Sequence, residues 1–166
     1  MRILGIDPGI AIVGYGVIDY KASHFTTLGH GAVLTPAHTA PELRLEQIYT
    51  ELSQIIELYK PEAMAVEELF FNTNQKTAIV VAEARGVILL CARMHGVPIF
   101  EYTPLQVKQA VVGYGRAEKK QVIYMVQRML NLERMPKLDD TADALAIAIC
   151  HAHTGSSGIK DFYNLR

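Results

Sequence analysis

The chain opens on an alternation of period two. In Arg2-Ile3-Leu4-Gly5-Ile6-Asp7 successive side chains of an extended strand face opposite ways, so Leu4 and Ile6 share one face and Ile3, Gly5 and Asp7 the other. Gly5 is expected to leave open space beside the carboxylate. Pro8-Gly9 ends the strand, because proline lacks a ladder donor and glycine accepts turn geometry that other residues resist. Ile12 to Asp19 and Phe25 to Thr35 carry β-type residues on either side of the polar segment Tyr20 to His24. Three sequential strands of this kind predict an antiparallel meander. The period then changes: Leu45, Ile48, Leu52, Ile55 and Tyr59 recur at helical spacing behind Thr39-Ala40-Pro41-Glu42, which has the form of a capping box, and Pro61 closes the helix. Ala63 to Glu67 is a short strand reached through that helix, and the crossover rule sets it parallel to an earlier strand, here the first.

Leu69-Phe70-Phe71-Asn72-Thr73-Asn74 reads as a loop. Two successive phenylalanines in a loop do not both face a core easily, so at least one is a candidate stacking surface and the other a packing residue. A helix follows from about Gln75 to Met94, ending at Gly96, and it is apolar on nearly every side. Such a helix needs a second apolar neighbour, either inside the molecule or on a second copy of the chain in an isologous dimer. Val97 to Tyr102 predicts a fifth strand, Thr103-Pro104-Leu105-Gln106 a capped short helix, and Ala117 to Leu130 another helix with Val122, Val126 and Met129 inward. Asp139-Asp140-Thr141-Ala142-Asp143 opens the last helix, whose alanines make it slim enough to lie close to a sheet. The expected organisation is one α/β domain over residues 1–153, with a five-stranded mixed sheet (three antiparallel strands, then parallel ones) flanked by helices, and a loose tail over 154–166.

Composition narrows the class. With 166 residues, 50% hydrophobic and 20% charged, the chain has enough apolar material for a core without staples. The longest apolar block, Ala78 to Ala92, is broken by Glu83 and Arg85 and falls short of a membrane span. Strand pattern starts at Arg2 with no leader-like segment before it, so a cytoplasmic location is expected. Cys91 and Cys150 sit in apolar helical patterns and are expected as reduced core thiols. His151 and His153 are expected as surface or partly buried histidines rather than ligands. A formal charge of −1 provides no global attraction to a polyanion, so binding one needs a local basic patch or metal ions. Lys108, Arg116, Lys119 and Lys120 form the best such patch, although the same residues suit an ordinary solvated helix end.

The acids carry the chemistry. Asp7 and Glu67 each end a strand, with a small residue, Gly5 or Ala65, on the same face before them. If the two strands are neighbours, both carboxylates lie where open α/β sheets place their ligands. Glu68 points the other way or lies past the strand and reads as a solvated acid. Acids in a first helical turn suit the helix dipole, yet three exceed what a cap requires, and Asp143 shares a face with either Asp140 or Asp139. Oxygen ligands without interleaved cysteine or histidine favour Mg²⁺ or Mn²⁺ over zinc. Two divalent ions would relieve the repulsion in such a cluster, and a pair of ions is the usual device for attack of water on a phosphodiester.

These residues bear a resemblance. Ile3-Leu4-Gly5-Ile6-Asp7-Pro8-Gly9, Val66-Glu67, the block Gln106 to Gly113, Ala117-Glu118-Lys119 and Asp140-Thr141-Ala142-Asp143-Ala144-Leu145-Ala146, in this order, closely resemble the bacterial RuvC Holliday junction resolvases over nearly all of residues 1–153. The resemblance implies an RNase H-like fold, a homodimer, and Mg²⁺-dependent paired nicking of four-way DNA junctions that leaves 5′-phosphate and 3′-hydroxyl ends. It implies two Mg²⁺ per site, replaceable by Mn²⁺, and a branch-migration motor of the RuvA–RuvB type as partner. By motif, Asp7, Glu67, Asp140 and Asp143 match the family's acidic tetrad, which selects Asp140 over Asp139. Phe70 matches the aromatic that stacks at the opened crossover, and Lys108 and Lys119 match basic residues that contact DNA or support the phosphate chemistry. Lys76 and Arg116 join them as expected DNA contacts on charge and location alone. Where the family usually has glutamine after the tetrad glutamate, this chain has Glu68.

Two rivals share parts of the pattern. Gly-Ile-Asp-Pro-Gly also resembles the first phosphate loop of actin-like ATPases and sugar kinases, but those need two such domains and a second Asp-Gly loop. A non-catalytic junction-binding module would leave the acids unexplained, since bare carboxylates weaken DNA affinity.

Overall fold

The computed structural model describes residues 1–68 and 75–156. Its elements run β1 (Arg2–Asp7), β2 (Ile12–Lys21), β3 (His24–Leu34), α1 (Pro41–Tyr59), β4 (Ala63–Glu67), α2 (Gln75–Met94), β5 (Ile99–Tyr102), α3 (Pro104–Val112), α4 (Lys119–Met129) and α5 (Asp139–Ser156). The strands form one five-stranded sheet in the order β3-β2-β1-β4-β5. β1 pairs antiparallel with β2 and parallel with β4, and β4 pairs parallel with β5, which is the expected mixed sheet.

The meander is tighter than its polar segment suggests. β2 and β3 stay paired out to Lys21 and His24, and only Ala22 and Ser23 turn, both at positive φ (50° and 63°). Two left-handed residues give the turn whose twist matches the flanking strands, so the hairpin closes without a longer loop. The start of α1 also departs from expectation. Its N-cap is Ala40, with no side-chain cap bond; Pro41 starts the helix through its fixed φ instead, and Thr39 lies one residue too early to cap it. On the buried side of α1 stand Ile48, Leu52 and Ile56, with the expected Leu45, Ile55 and Tyr59 partly buried against the same core. Thr103 does cap α3 in a full capping box with Gln106. α5 continues through Ser156, so the first three residues of the expected tail are helical.

The sheet separates two cores that follow the alternation of β1. Leu4 and Ile6 pack with Val13, Val17, Val33, Met64 and Val66 against α1 and α2. Ile3 packs on the opposite face with Ile18, Ala65 and Tyr102 against α3, α4 and α5. Asp7 belongs to that second face. Cys91 and Cys150 are free, buried thiols, as expected. His151 is buried rather than exposed or partly buried: it is 2% exposed, bonded through Nδ1 to the Tyr102 hydroxyl at 2.7 Å and packed on Phe100 at 4.4 Å between ring centres. A polar ring accommodated this way needs a partner from a distant strand, which helical periodicity does not reveal.

Candidate active site

The close seating of α5 builds the site. Gly5 on β1 faces Gly16 on β2, and Asp7 faces Gly14. A Cβ on Gly5 would clash with the Ala144 carbonyl oxygen, one on Gly14 with the Asp140 carbonyl, and one on Gly16 with the Leu145 side chain. Gly5 therefore does not leave space open beside Asp7; the backbone of α5 fills it. The glycines let the first turns of α5 touch the sheet backbone directly, and Ala144 and Ala148 complete the thin interface. Thr141, 2% exposed, fixes the helix against β3 by donating from Oγ1 to the Gly31 carbonyl at 3.0 Å. Gly14, Gly16 and Thr141 were not singled out from the sequence. A Gly-x-Gly inside a strand was the available sign of close backbone approach.

This seating brings three parts of the chain together. The parallel register pairs Ile6 with Val66, so Asp7 and Glu67 end neighbouring strands side by side. α5 begins at that same end of the sheet with Asp139 and Asp140 in its first turn, and Asp143 follows one turn later. The geometry agrees with the electrostatics. Burial, then repulsion from Glu67, Asp143 and Asp140, pushes the Asp7 carboxyl from 3.8 to about 7, with Lys119 pulling the other way. Glu67 is raised by burial and then by Asp143, against Lys108 and Lys119. Asp143 is raised by burial, with Lys119 opposing and Asp139 and Asp140 adding. Carboxyls held above their usual range by burial and by one another mark a place short of positive charge.

Cations border that place. A cleft of about 200 Å³ is lined by Glu67 and Asp143 together with Lys108 of α3, Lys119 of α4 and the apolar Val107, Val122 and Ile147. The Lys119 ammonium lies 3.1 Å from Asp143 and 3.2 Å from Asp139. Burial opposes its charge, yet those two bonds leave its proton affinity raised. Arg116 is exposed on the α3–α4 connection and is not among the residues lining this cleft. Phe70 and Phe71 lie outside the described residues, and so does the side chain of Lys76.

The donor set suits a hard divalent cation: aspartate and glutamate oxygens, without nitrogen or sulfur. As placed, no group of three or more histidine, cysteine or acidic side chains among the described residues can hold an ion. Lys119 is the cation bonded to two of these acids, Asp139 and Asp143. Added positive charge is what the raised carboxyls lack, so the residues fit the group.

The likeness to known proteins covers the whole fold. The family model for crossover junction endodeoxyribonuclease RuvC matches residues 3–151. The crossover junction endodeoxyribonuclease RuvC of Alkaliphilus oremlandii (strain OhILAs) is 60% identical over 156 residues, which span 94% of this chain and 95% of that protein. The solved structure of Thermus thermophilus RuvC superposes with a TM-score of 0.88 at 38% identity, over 95% of this chain and 97% of that one. A second Thermus thermophilus structure, RuvC in complex with a Holliday junction substrate, matches with the same TM-score at 35% identity, over 95% of this chain and 97% of that one.

Proposed function

The chain belongs to the RuvC family of crossover junction endodeoxyribonucleases, an RNase H-like fold, and from that premise we propose how its own residues cut a four-way DNA junction. The observation that carries the reading is the convergence of Asp7, Glu67 and Asp143 at one end of the sheet, with carboxyls raised by burial and mutual repulsion, beside a cleft edged by Lys108 and Lys119. Nucleases of this family are metal-dependent. Asp7, Glu67, Asp140 and Asp143 would hold two Mg²⁺, or Mn²⁺ in their place. Bound there, the ions would supply Lewis acidity toward the scissile phosphate and a more acidic water.

The chain's own groups do the rest. Lys108 and Lys119 offset the phosphate charge at the cleft, where the acids alone would repel the backbone. The apolar wall of Val107, Val122 and Ile147 keeps bulk water from one side and strengthens those charge contacts. The capping box of α3 holds Lys108 on a helix that starts directly after β5, whose Tyr102 pairs with Glu67. Water adds to phosphorus and the bond to the 3′ oxygen breaks, so the products carry 5′-phosphate and 3′-hydroxyl ends. Lys76, Arg116 and Phe70 extend the DNA contact in this reading, with Phe70 stacking at the opened crossover.

Symmetric nicks call for two sites. On α2, Ala84, Ile88, Cys91 and Ala92 are buried, while Ile79, Leu90 and Met94 remain 61%, 55% and 68% exposed. Gly86 has open space around its Cβ position, leaving a flat place on that helix. A second copy of the chain covers this stripe in the proposed homodimer. The same reading sets the protein in the cytoplasm beside a branch-migration motor of the RuvA–RuvB type. Among the described residues no helix is long and apolar enough to cross a membrane.

The deciding experiment incubates the protein with Mg²⁺ and either a synthetic four-way junction or a linear duplex of the same sequence. Paired nicks at symmetric positions in the junction, with the duplex left largely intact, are expected. Equal cutting of both substrates, or none with Mg²⁺ or Mn²⁺, overturns the reading. Sedimentation at micromolar concentration tests the dimer, and a monomer there counts against it.

A further inference from the structure

Asp139 is the acid of the cluster that the tetrad leaves over, and it is not idle. It opens α5 one helical turn before Asp143, and both carboxylates meet the same ammonium: Lys119 Nζ lies 3.2 Å from Asp139 Oδ2 and 3.1 Å from Asp143 Oδ2. An ammonium has three donors and no acceptor, so one Nζ can hold both carboxylates at once. Lys119 is half exposed and is the first residue of α4, which leaves its four-carbon stem free to swing without moving the fold. Lys108 and Lys120, its nearest basic companions in sequence and cleft, form no ion pair among the described residues. The arrangement is therefore a specific bridge between α4 and the start of α5.

We propose that Lys119 is the resident cation of the metal-free site, bound to Asp143, and that Asp139 is a positioning residue that keeps the ammonium when a metal ion claims Asp143. The proposal rests on the reading that the tetrad binds metal. A metal ion and Lys119 compete for the same Asp143 oxygen, so occupancy by one is won against the other. Asp139, 69% exposed at its side chain, gives the displaced ammonium a nearby acceptor, so Lys119 stays beside the cleft, in place for a phosphate of the DNA backbone. Without Asp139, Lys119 has one carboxylate left and holds it harder.

The test uses the full chain without DNA and reads the binding of Mn²⁺ through the electron paramagnetic resonance signal of the free ion. Lys119→Met should tighten the Mn²⁺ Kd by roughly two- to fivefold, the range for losing one partly exposed charge pair. Lys120→Met, which removes the neighbouring charge, should change it far less. Asp139→Asn should weaken Mn²⁺ binding by about twofold, and the same substitution in the Lys119→Met background should have no effect. Lys119→Met without tightening, or Lys120→Met matching it, overturns the proposal. So does an Asp139→Asn effect that persists without the lysine, because Asp139 would then act on the metal directly. Asp7→Asn separates the two levels: an unchanged Mn²⁺ Kd there removes the tetrad as the metal site and this proposal with it. A large loss there together with a silent Lys119→Met removes the proposal alone.

Discussion

The two faces of the sheet are built on opposite principles. Toward α1 and α2 the strands present Leu4, Ile6, Val13, Val17, Met64 and Val66, and large side chains such as Ile48, Leu52 and Ile88 fill the space between layers. Toward α5 they present Gly5, Gly14, Gly16 and Ala65, and the helix answers with Ala144 and Ala148 or with its bare backbone. The first face tolerates small adjustments, since side chains can repack around a lost methyl group. On the second face, at Gly5 and Gly14, backbone meets backbone, and beside the helix turns that carry Asp140 and Asp143 the sheet has little side chain that could give way. Stability is spread over the first face, whereas the placement of the proposed site is concentrated in the second.

That contrast can be broken by substitution. The largest expected effect is Asp7→Asn, which should abolish junction cleavage while the protein stays folded and still binds the junction. A gel-shift assay beside the nicking assay checks this, and loss of folding would make Asp7 a structural residue. Gly14→Val comes next. A Cβ there strikes the Asp140 carbonyl, so α5 must shift, and cleavage should fall by about 100-fold with a stability loss on the order of 3 kcal/mol. Its counterpart on the other face, Leu52→Ala, should cost about 2–4 kcal/mol in denaturant unfolding yet keep kcat near wild type where the protein remains folded. If Gly14→Val keeps its activity, or Leu52→Ala loses it at full folding, the division of labour is wrong.

The acidic end adds a pH dependence to the comparison. The folded Asp7 carboxyl titrates at about 7 rather than 3.8, so between those values the folded chain binds more protons than the unfolded one. Its contribution to stability is therefore present at low pH, falls as pH rises through that window and stays flat above about 7. Glu67 and Asp143 are raised as well and act with the same sign. In metal-free protein, Asp7→Asn should raise Tm relative to wild type at pH 8, with the gap closing toward pH 4.5. A gap independent of pH would mean that the Asp7 carboxylate carries no electrostatic penalty. The smallest effect is expected from Tyr102→Phe, which removes the hydroxyl bonded to His151 and should cost about 1 kcal/mol with cleavage unchanged.

Much of the candidate site was legible because its signals are local. Asp7 and Glu67 each close a strand after a small residue on the same face, and strand periodicity with turn punctuation is enough to see that. Asp143 shared a face with both Asp139 and Asp140, and spacing alone left the choice open. The two now differ in surroundings: Asp140 adds to the repulsion on Asp7, while Asp139 bonds Lys119 at the rim. What went unseen depended on partners far along the chain. Gly5 was expected to clear space, and the space belongs to α5. His151 was expected at the surface or partly buried, and it is buried against Tyr102 and Phe100 from β5. Thr39 looked like a cap, and Pro41 sets the start of α1 instead.

By itself the sequence determined the order of strands and helices, the face on which each strand acid lies and the hard-oxygen character of the site. Alternation, helical spacing and side-chain chemistry are properties of neighbouring residues, and neighbours in sequence stay neighbours in the fold. Only the tertiary structure decided how far α5 sinks onto β1 and β2, which basic residues reach the acids, and how strongly the carboxylates repel one another. Those quantities depend on distances between segments that meet only when the sheet and its helices pack, and on the water that packing removes.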